Sequence, residues 1–156
     1  MDIRIGNGYD IHRLIEGRDL FLCGIKIPFE FGLHGHSDGD CVLHAVADCL
    51  LGAIGERDIG FFFPDTDEKL RGISSKKIVE FARAKLEDSK YTISNIDITI
   101  IAARPKLSQY IDDMKYALSE ILQINISQIG IKAKTNNGVS DSGFVACFAT
   151  CLVVKQ

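Results

Sequence analysis

The segment that most constrains the fold is an uncharged, almost wholly apolar run near the end of the chain, residues 144–154. A short run of this kind is typical of a strand that is covered on both faces in the interior of a sheet. We therefore expect a β-sheet at the centre of the fold, with residues 144–154 as one of its inner strands.

The remaining segments divide into strands and helices by the spacing of their apolar residues. Alternating or β-branched stretches predict a hairpin over residues 20–29 and strands over residues 2–12, 91–103 and 129–135. Apolar residues at helical spacing predict helices over residues 41–54, 74–89 and 108–123. Loops are expected where glycine and polar residues dominate, in residues 32–40, 57–72 and 138–143.

The order of these elements is strand, hairpin, two helices, strand, helix and two strands. It favours an α+β fold, a two-layer sandwich in which one mixed β-sheet carries helices on one face. Since the 156 residues contain no evident linker or repeat, we expect a single domain over residues 1–156.

The composition narrows the classes of function. With a net charge of −3, the chain lacks the basic surplus of nucleic-acid-binding proteins, and no stretch reaches the roughly 20 apolar residues that span a bilayer. The first residues carry charges where a signal peptide would be apolar. Five cysteines, an odd number without a Cys-x-x-Cys pair, indicate reduced thiols buried in the core. We expect a cytoplasmic protein with no nucleic-acid or membrane partner.

A candidate metal site begins with Asp10 and His12, two residues apart near the end of the first predicted strand. Side chains at i and i+2 share one face of a strand, so both can reach one atom. With His44 from the next helix they form a donor set typical of a catalytic zinc site with an open fourth position. Asp48, one helical turn after His44, could orient a ligand. The alternative, that each is an ordinary polar residue, stays open because two-residue matches are common by chance.

A longer set of motifs resembles one enzyme family. The motifs are Asp10-x-His12, His36-Ser37-Asp38-Gly39-Asp40-x3-His44-x3-Asp48, Asp58-Ile59-Gly60, Phe63-Pro64-Asp65-Thr66-Asp67, Ala102-Ala103-Arg104-Pro105-Lys106-Leu107 and Lys132-Ala133-Lys134-Thr135. In this order they resemble the 2-C-methyl-D-erythritol 2,4-cyclodiphosphate synthases of the non-mevalonate isoprenoid pathway, over nearly the whole chain.

The resemblance implies a phosphorus-oxygen lyase. Its substrate would be 4-diphosphocytidyl-2-C-methyl-D-erythritol 2-phosphate, whose 2-phosphate attacks the β-phosphorus of the diphosphate. The products would be 2-C-methyl-D-erythritol 2,4-cyclodiphosphate and CMP. The resemblance also implies one Zn2+ per subunit on Asp10, His12 and His44, and Mg2+ or Mn2+ bridging the substrate phosphates. It assigns transition-state stabilisation to His36 and Thr135, and an imidazole and a hydroxyl can donate to phosphate oxygens.

The family's substrate-binding positions carry over to three regions of the chain. Those for the methylerythritol phosphate are Asp10, His12, His36, Ser37, Asp58, Ile59, Gly60, Phe63, Pro64, Asp65, Thr66 and Asp67. Those for the cytidine are Ala102, Ala103, Arg104, Pro105, Lys106, Leu107 and Ser108. Those near the diphosphate are Lys134, Thr135, Asn136 and Asn137. The resemblance further implies a homotrimer whose active sites lie between adjacent subunits, with the metal on one chain and the cytidine pocket on another.

Some of these residues also have plainer interpretations. Asp58 before Gly60 would suit a turn, Lys106 could be a solvated cation, and Lys132 and Lys134 could be charges at a sheet edge.

The chain departs from the family pattern after Thr135. Asn137 replaces a glutamate that binds the second metal, and an amide is a weaker Mg2+ ligand than a carboxylate. The following loop, residues 138–143, is short and lacks the family's arginine, so Asp141 becomes a candidate substitute ligand.

Two other functions stay open at this point. An Asp-His-His zinc site can also activate water, which would make the chain a zinc hydrolase with Asp65 or Asp48 as general base. The second is a non-enzymatic trimeric protein, a ligand-binding or scaffold protein that has lost activity through its altered loop, residues 136–143.

Overall fold

The structure is a computed structural model that describes residues 2–139 and 142–156. Within these residues the chain forms seven strands, β1 (Ile3–Glu16), β2 (Leu20–Leu22), β3 (Ile25–Ile27), β4 (Phe31–Leu33), β5 (Tyr91–Ala102), β6 (Ile129–Lys134) and β7 (Phe144–Lys155). The α-helices are α1 (Cys41–Ala53), α2 (Ile59–Phe62), α3 (Ser75–Asp88) and α4 (Ile111–Leu122). Short 3-10 helices span Glu68–Leu70, Ser108–Tyr110 and Ile126–Gln128. None of the described helices is both long enough and apolar enough to cross a bilayer.

Five strands form one mixed sheet in the order β4-β1-β7-β5-β6. The β5–β6 pair is parallel and the other pairs are antiparallel. The apolar strand β7 therefore lies between β1 and β5, which confirms its predicted place inside the sheet. The register sets His12 opposite Val145 and Val145 opposite Ala102, so these parts of β1 and β5 lie at the same end of the sheet.

The hairpin departs from the expected single sheet. β2 and β3 pair only with each other and form a separate two-stranded sheet. Its side chains Leu20, Leu22 and Ile27 are almost completely buried, so packing into the core holds it in place. Two further elements, β4 and α2, form in segments where the sequence pattern predicted loops. The pattern missed them because elements of three or four residues are too short to show a recognisable period.

The hydrophobic core lies between the sheet and the helices. Alternate residues of β7 face this side and are buried: Val145, Cys147, Ala149, Cys151 and Val153. All five cysteines are buried, which confirms their predicted place in the core, and they are free in the structure.

The opposite face of the sheet carries large apolar side chains that none of the described residues covers. Ile3, Ile5, Tyr9 and Ile11 of β1 and Phe148 of β7 are between 45% and 68% exposed. The rings of Tyr9 and Phe148 lie 4.7 Å apart across the strand pair. Within residues 2–139 and 142–156, β7 is thus covered by helices on one face, and its other face carries the exposed ring of Phe148.

Helix α1 begins at a buried carboxylate. Asp40 accepts hydrogen bonds from the backbone N–H of Leu43 in the first turn (3.1 Å) and of Cys23 and Gly24 in the hairpin (3.2 and 2.6 Å). The side chain therefore caps the helix and ties it to the hairpin. Burial raises the pKa of this carboxyl to about 7, against the lowering effect of the hydrogen bonds from Gly24 and Leu43.

Candidate metal centre

Three side chains converge at the surface between β1 and α1. The Oδ2 atom of Asp10 lies 2.7 Å from His12 Nε2 and 2.9 Å from His44 Nδ1, and the two imidazole nitrogens are 3.3 Å apart. Among the described residues, this is the one group of three or more His, Cys, Asp or Glu side chains whose donor atoms lie close enough to hold one metal ion.

The convergence depends on how closely α1 approaches β1. Asp10 and His12 share a strand face with Gly6 and Gly8. A Cβ added to Gly6 would lie 1.8 Å from the Cys49 carbonyl oxygen of α1. Because only glycine lacks a Cβ, the helix backbone can rest directly on the strand, and His44 in the first turn of α1 meets the two strand residues.

The outer nitrogens of both imidazole rings have partners of their own. His12 Nδ1 is hydrogen-bonded to the backbone carbonyl of His34. His44 Nε2 lies 3.0 Å from the hydroxyl oxygens of both Ser37 and Ser75. Metal-binding histidines commonly use their second nitrogen in this way, which leaves the inner nitrogens, His12 Nε2 and His44 Nδ1, to face Asp10.

The charges of the centre favour a cation. Burial acts to raise the pKa of Asp10, but the hydrogen bonds from His12 and His44 outweigh it and hold that pKa well below its usual range. Burial likewise acts to lower the pKa of His12, and the hydrogen bond and charge of Asp10 raise it overall. The inner nitrogen of His12 faces the Asp10 carboxylate at hydrogen-bond distance, and a metal ion bound between them would take the place of that hydrogen bond. One carboxylate oxygen and two imidazole nitrogens are suitable zinc ligands, so these residues fit that ion.

The three donors form part of the wall of an open cavity of about 1010 Å³. The cavity brings together most residues of the first predicted substrate region: Asp10, His12, His36, Ser37, Asp58, Ile59, Gly60, Phe63 and Asp65. The ring of His36 reaches the neighbouring segment, with Nε2 at 3.3 Å from the backbone carbonyl oxygen of Asp67. Pro64, Thr66 and Asp67 follow in the same segment without lining the cavity.

Asp48 also lines the cavity, but its hydrogen bond goes elsewhere. Its Oδ1 accepts from the backbone N–H of Ile59 at 2.7 Å and so holds the start of α2. Burial raises the pKa of this carboxyl, against the lowering effect of that bond. The groups that contact the outer nitrogen of His44 are the hydroxyls of Ser37 and Ser75. The predicted role of Asp48 in orienting a metal ligand therefore stays a prediction.

Sequence patterns missed two residues that shape this wall. Arg18 donates from Nη1 to the Gly35 carbonyl and from Nη2 to the Ser37 carbonyl, both at 2.7 Å, and so holds the loop that carries His36. Ser75 reaches His44 from the start of α3. Nothing local to either residue signals these contacts, because both cross between segments that are distant in sequence.

The other two predicted substrate regions do not line this cavity. Residues 102–108 begin at the last residue of β5, and residues 134–137 begin at the last residue of β6. The Thr135 hydroxyl donates to the side-chain oxygen of Asn137 at 3.0 Å. Asp141, the proposed substitute metal ligand, lies outside the described residues. Lys132, on edge strand β6, forms an ion pair with Asp97 of the neighbouring strand β5, in keeping with its interpretation as a sheet-edge charge.

Comparison with known proteins gives consistent matches over nearly the whole chain. The sequence pattern of the YgbB family matches residues 3–154. A Clostridium perfringens protein named 2-C-methyl-D-erythritol 2,4-cyclodiphosphate synthase is 49% identical over 156 residues, which cover 98% of this chain and 100% of the relative. A solved structure of a synthase of that name superposes with a TM-score of 0.91 at 40% identity, covering 97% of this chain and 100% of the other. A solved CDP-bound form has the same TM-score and coverage at 38% identity.

Proposed function

The chain belongs to the YgbB family of 2-C-methyl-D-erythritol 2,4-cyclodiphosphate synthases, lyase-type enzymes of isoprenoid biosynthesis, and on this premise we propose its reaction. It converts 4-diphosphocytidyl-2-C-methyl-D-erythritol 2-phosphate into 2-C-methyl-D-erythritol 2,4-cyclodiphosphate and CMP. The observation that carries the proposal is the convergence of Asp10, His12 and His44 at the wall of a large cavity. One domain spanning residues 1–156 and a cytoplasmic location remain part of the proposal.

The proposed step is an intramolecular phosphoryl transfer. An oxygen of the 2-phosphate attacks the β-phosphorus, the bond from that phosphorus to the CMP phosphate oxygen breaks, and CMP leaves with the bonding electrons. Both phosphates are anionic, so the protein must hold them close together and offset their repulsion. Zinc bound by Asp10, His12 and His44, one ion per subunit, would supply a Lewis acid for a phosphate oxygen.

The chain's own polar groups would complete the binding of the phosphates. His36 stands on the cavity wall, where its ring could donate to a phosphate oxygen. Asp58, at the start of α2, could accept hydrogen bonds from the substrate hydroxyls. We assign the remaining phosphate contacts to Lys134 and the hydroxyl of Thr135, after the resemblance of that segment to the family.

We propose that three copies of the chain assemble with active sites at their interfaces. Two observations support an association of copies, and the number three comes from the resemblance to the family. The sheet face with Ile5, Tyr9 and Phe148 is exposed among the residues that the structure describes, and burial of such a face stabilises an assembly. The predicted cytidine segment, residues 102–108, lies outside the cavity that holds the metal donors, so a neighbouring chain would have to complete the site.

The second cation, Mg2+ or Mn2+, fits the described residues less well. Asn137 offers an amide oxygen that already accepts a hydrogen bond from Thr135, and hard cations prefer carboxylates.

Phosphorus NMR of a reaction with the diphosphocytidyl substrate tests the proposed activity. The cyclic diphosphate together with CMP is the expected result. A linear phosphate product would contradict it and favour the zinc hydrolase, for which Asp48 and Asp65 line the cavity as candidate bases. No turnover by a zinc-loaded trimer would favour the non-enzymatic alternative.

Elemental analysis combined with native mass spectrometry tests the centre and the assembly. We expect one zinc per chain and a trimer mass, and His12→Ala should remove both bound zinc and activity. The matched control is His34→Ala, which removes an imidazole from the same wall but keeps the backbone carbonyl that holds His12. Retained zinc in His12→Ala would refute the ligand assignment.

A further inference from the structure

We propose that Ser75 is a positioning residue for the metal ligand His44, and that Asp38 acts on His44 through the Ser75 hydroxyl. The inference rests on the metal centre of the proposed function and extends it to residues that the sequence motifs do not assign to it. A serine at the start of α3 thus fixes the orientation of a metal-binding histidine on α1.

The contacts of Ser75 connect three separate segments. Ser75 is the first residue of α3 and is fully buried. Its hydroxyl oxygen lies 3.0 Å from His44 Nε2, and its hydroxyl donates to Asp38 Oδ1. Its backbone N–H donates to Asp38 Oδ2 at 3.0 Å, so both carboxylate oxygens of Asp38 receive a bond from the same residue.

The direction of these hydrogen bonds determines which ring nitrogen of His44 carries the hydrogen. A carboxylate only accepts, and a serine hydroxyl has one hydrogen to give. Because the Ser75 hydrogen goes to Asp38, its oxygen can only accept from His44. Nε2 must then carry a hydrogen, and the lone pair of Nδ1 is left for the metal beside Asp10.

Ser37 offers a competing contact at the same distance. Its hydroxyl oxygen also lies 3.0 Å from His44 Nε2, and it accepts from the backbone N–H of Gly39 at 3.0 Å. The described contacts do not commit its hydrogen to a carboxylate, so Ser37 could donate to or accept from the ring. Ser75 is the partner whose direction is fixed, and we therefore assign the positioning role to Ser75.

Zinc affinity of the full chain, measured by competition with a chromophoric chelator, tests the inference. Ser75→Ala should bind zinc roughly 10- to 100-fold more weakly, the usual loss when a histidine ligand loses its outer partner. Ser75→Thr keeps the hydroxyl and should recover much of that loss, and Asp38→Asn should weaken binding as well. Ser37→Ala should change affinity much less, and Ser119→Ala, which removes another buried serine hydroxyl on α4, should not change it.

Nitrogen-resolved NMR of the zinc-loaded protein provides a readout that a general loss of stability would not mimic. We expect a slowly exchanging His44 Nε2–H signal in the wild type and in Ser37→Ala, and its loss or displacement in Ser75→Ala. Absence of that signal from the zinc-loaded wild type would overturn the inference without any variant.

These outcomes distinguish failure of the positioning role from failure of the metal centre on which it rests. If the wild type binds one zinc and Ser75→Ala binds it equally tightly, the positioning role is wrong and the centre stands. A larger loss in Ser37→Ala than in Ser75→Ala would also overturn the role of Ser75. Failure of the wild type to bind zinc would remove both the centre and the inference.

Discussion

Gly8 of β1 lies so close to Ala45 of α1 that a Cβ atom added to the glycine would be 2.0 Å from the Ala45 carbonyl oxygen. Both partners in this contact are backbone, so neither can move aside as a flexible side chain would. The contact sets the distance between the strand that carries Asp10 and His12 and the helix that carries His44. Packing in the core and geometry at the metal centre therefore depend on the same residue.

Gly8→Ala should destabilise the protein and weaken its metal centre together. Forcing a methyl group into this contact is expected to cost about 1–3 kcal/mol, which corresponds to a fall in Tm of roughly 2–12 °C for a chain of this size. Zinc affinity should fall with it, because separation of α1 from β1 moves His44 away from Asp10. Thermal unfolding and chelator competition measure the two effects.

The matched control for that change is Gly52→Ala on α1. A Cβ at Gly52 would meet nothing nearer than the Asn7 carbonyl oxygen at 3.8 Å, and alanine is favoured over glycine in a helix by about 0.5–1 kcal/mol. We expect unchanged or higher stability and full zinc binding. If Gly8→Ala behaved like Gly52→Ala, the close approach of helix and strand would be refuted.

Asp40→Ala should lower stability through loss of a buried acceptor. The change removes the cap of α1, worth about 0.5–2 kcal/mol, and leaves buried backbone N–H groups without a partner at about 1–3 kcal/mol each. We expect a lower midpoint in urea unfolding, compared at equal protein concentration. Asp40→Asn keeps one carbonyl oxygen for the N–H groups of Cys23 and Leu43 and should lose less. Equal losses in both variants would show that charge, and not acceptor geometry, is what the site requires.

Asn137→Asp should reduce the Mg2+ or Mn2+ concentration needed for half-maximal CMP release several-fold. The backbone of Asn137 has a positive φ of 51°, which asparagine and aspartate tolerate better than other residues, and the change supplies the carboxylate that hard cations prefer. Asn137→Glu, the residue typical of the family, should act in the same direction.

The control for Asn137 is Asn125→Asp, which adds the same charge at the N-cap before a distant 3-10 helix. It should leave the metal titration unaltered. An unaltered titration in Asn137→Asp as well would place this residue away from the second cation.

All five cysteines are buried, so they should be shielded from reagents in the folded protein. Burial raises the pKa of the Cys23, Cys41 and Cys147 thiols above their ordinary value of 9.0, and the thiolate is the reactive form. A thiol-disulfide reagent at pH 8 should label the native protein slowly and all five cysteines rapidly in denaturant. Rapid labelling of the native state would contradict their place in the core.

The same pKa shifts predict the direction of an alkaline effect on stability. Since the folded state holds these thiol protons more tightly than the unfolded state, the contribution is fully present below pH 9 and is lost as the pH rises through and above that value. Urea unfolding between pH 7 and pH 10.5 measures it. Cys147→Ala should reduce the dependence, whereas an identical pH profile in that variant would exclude Cys147 as a source.

Much of the architecture was readable from local pattern. Apolar spacing located α1, α3 and α4, and the uncharged run of residues 144–154 identified β7 as an inner strand. The hairpin was recognised, but its separation from the main sheet was not. Periodicity tells which face of an element is apolar, and it carries no information on which other element covers that face.

The candidate metal centre could also be predicted only in part from local sequence pattern. That Asp10 and His12 share one face of a strand follows from the chain's local pattern, because alternation is a property of backbone geometry. The fold brings His44 to them, since this depends on helix α1 resting on the glycines of β1. It also placed Ser75, 31 residues after His44, at hydrogen-bond distance from the ring. Contacts between distant segments are decided by how side chains of particular size pack together, which no local pattern records.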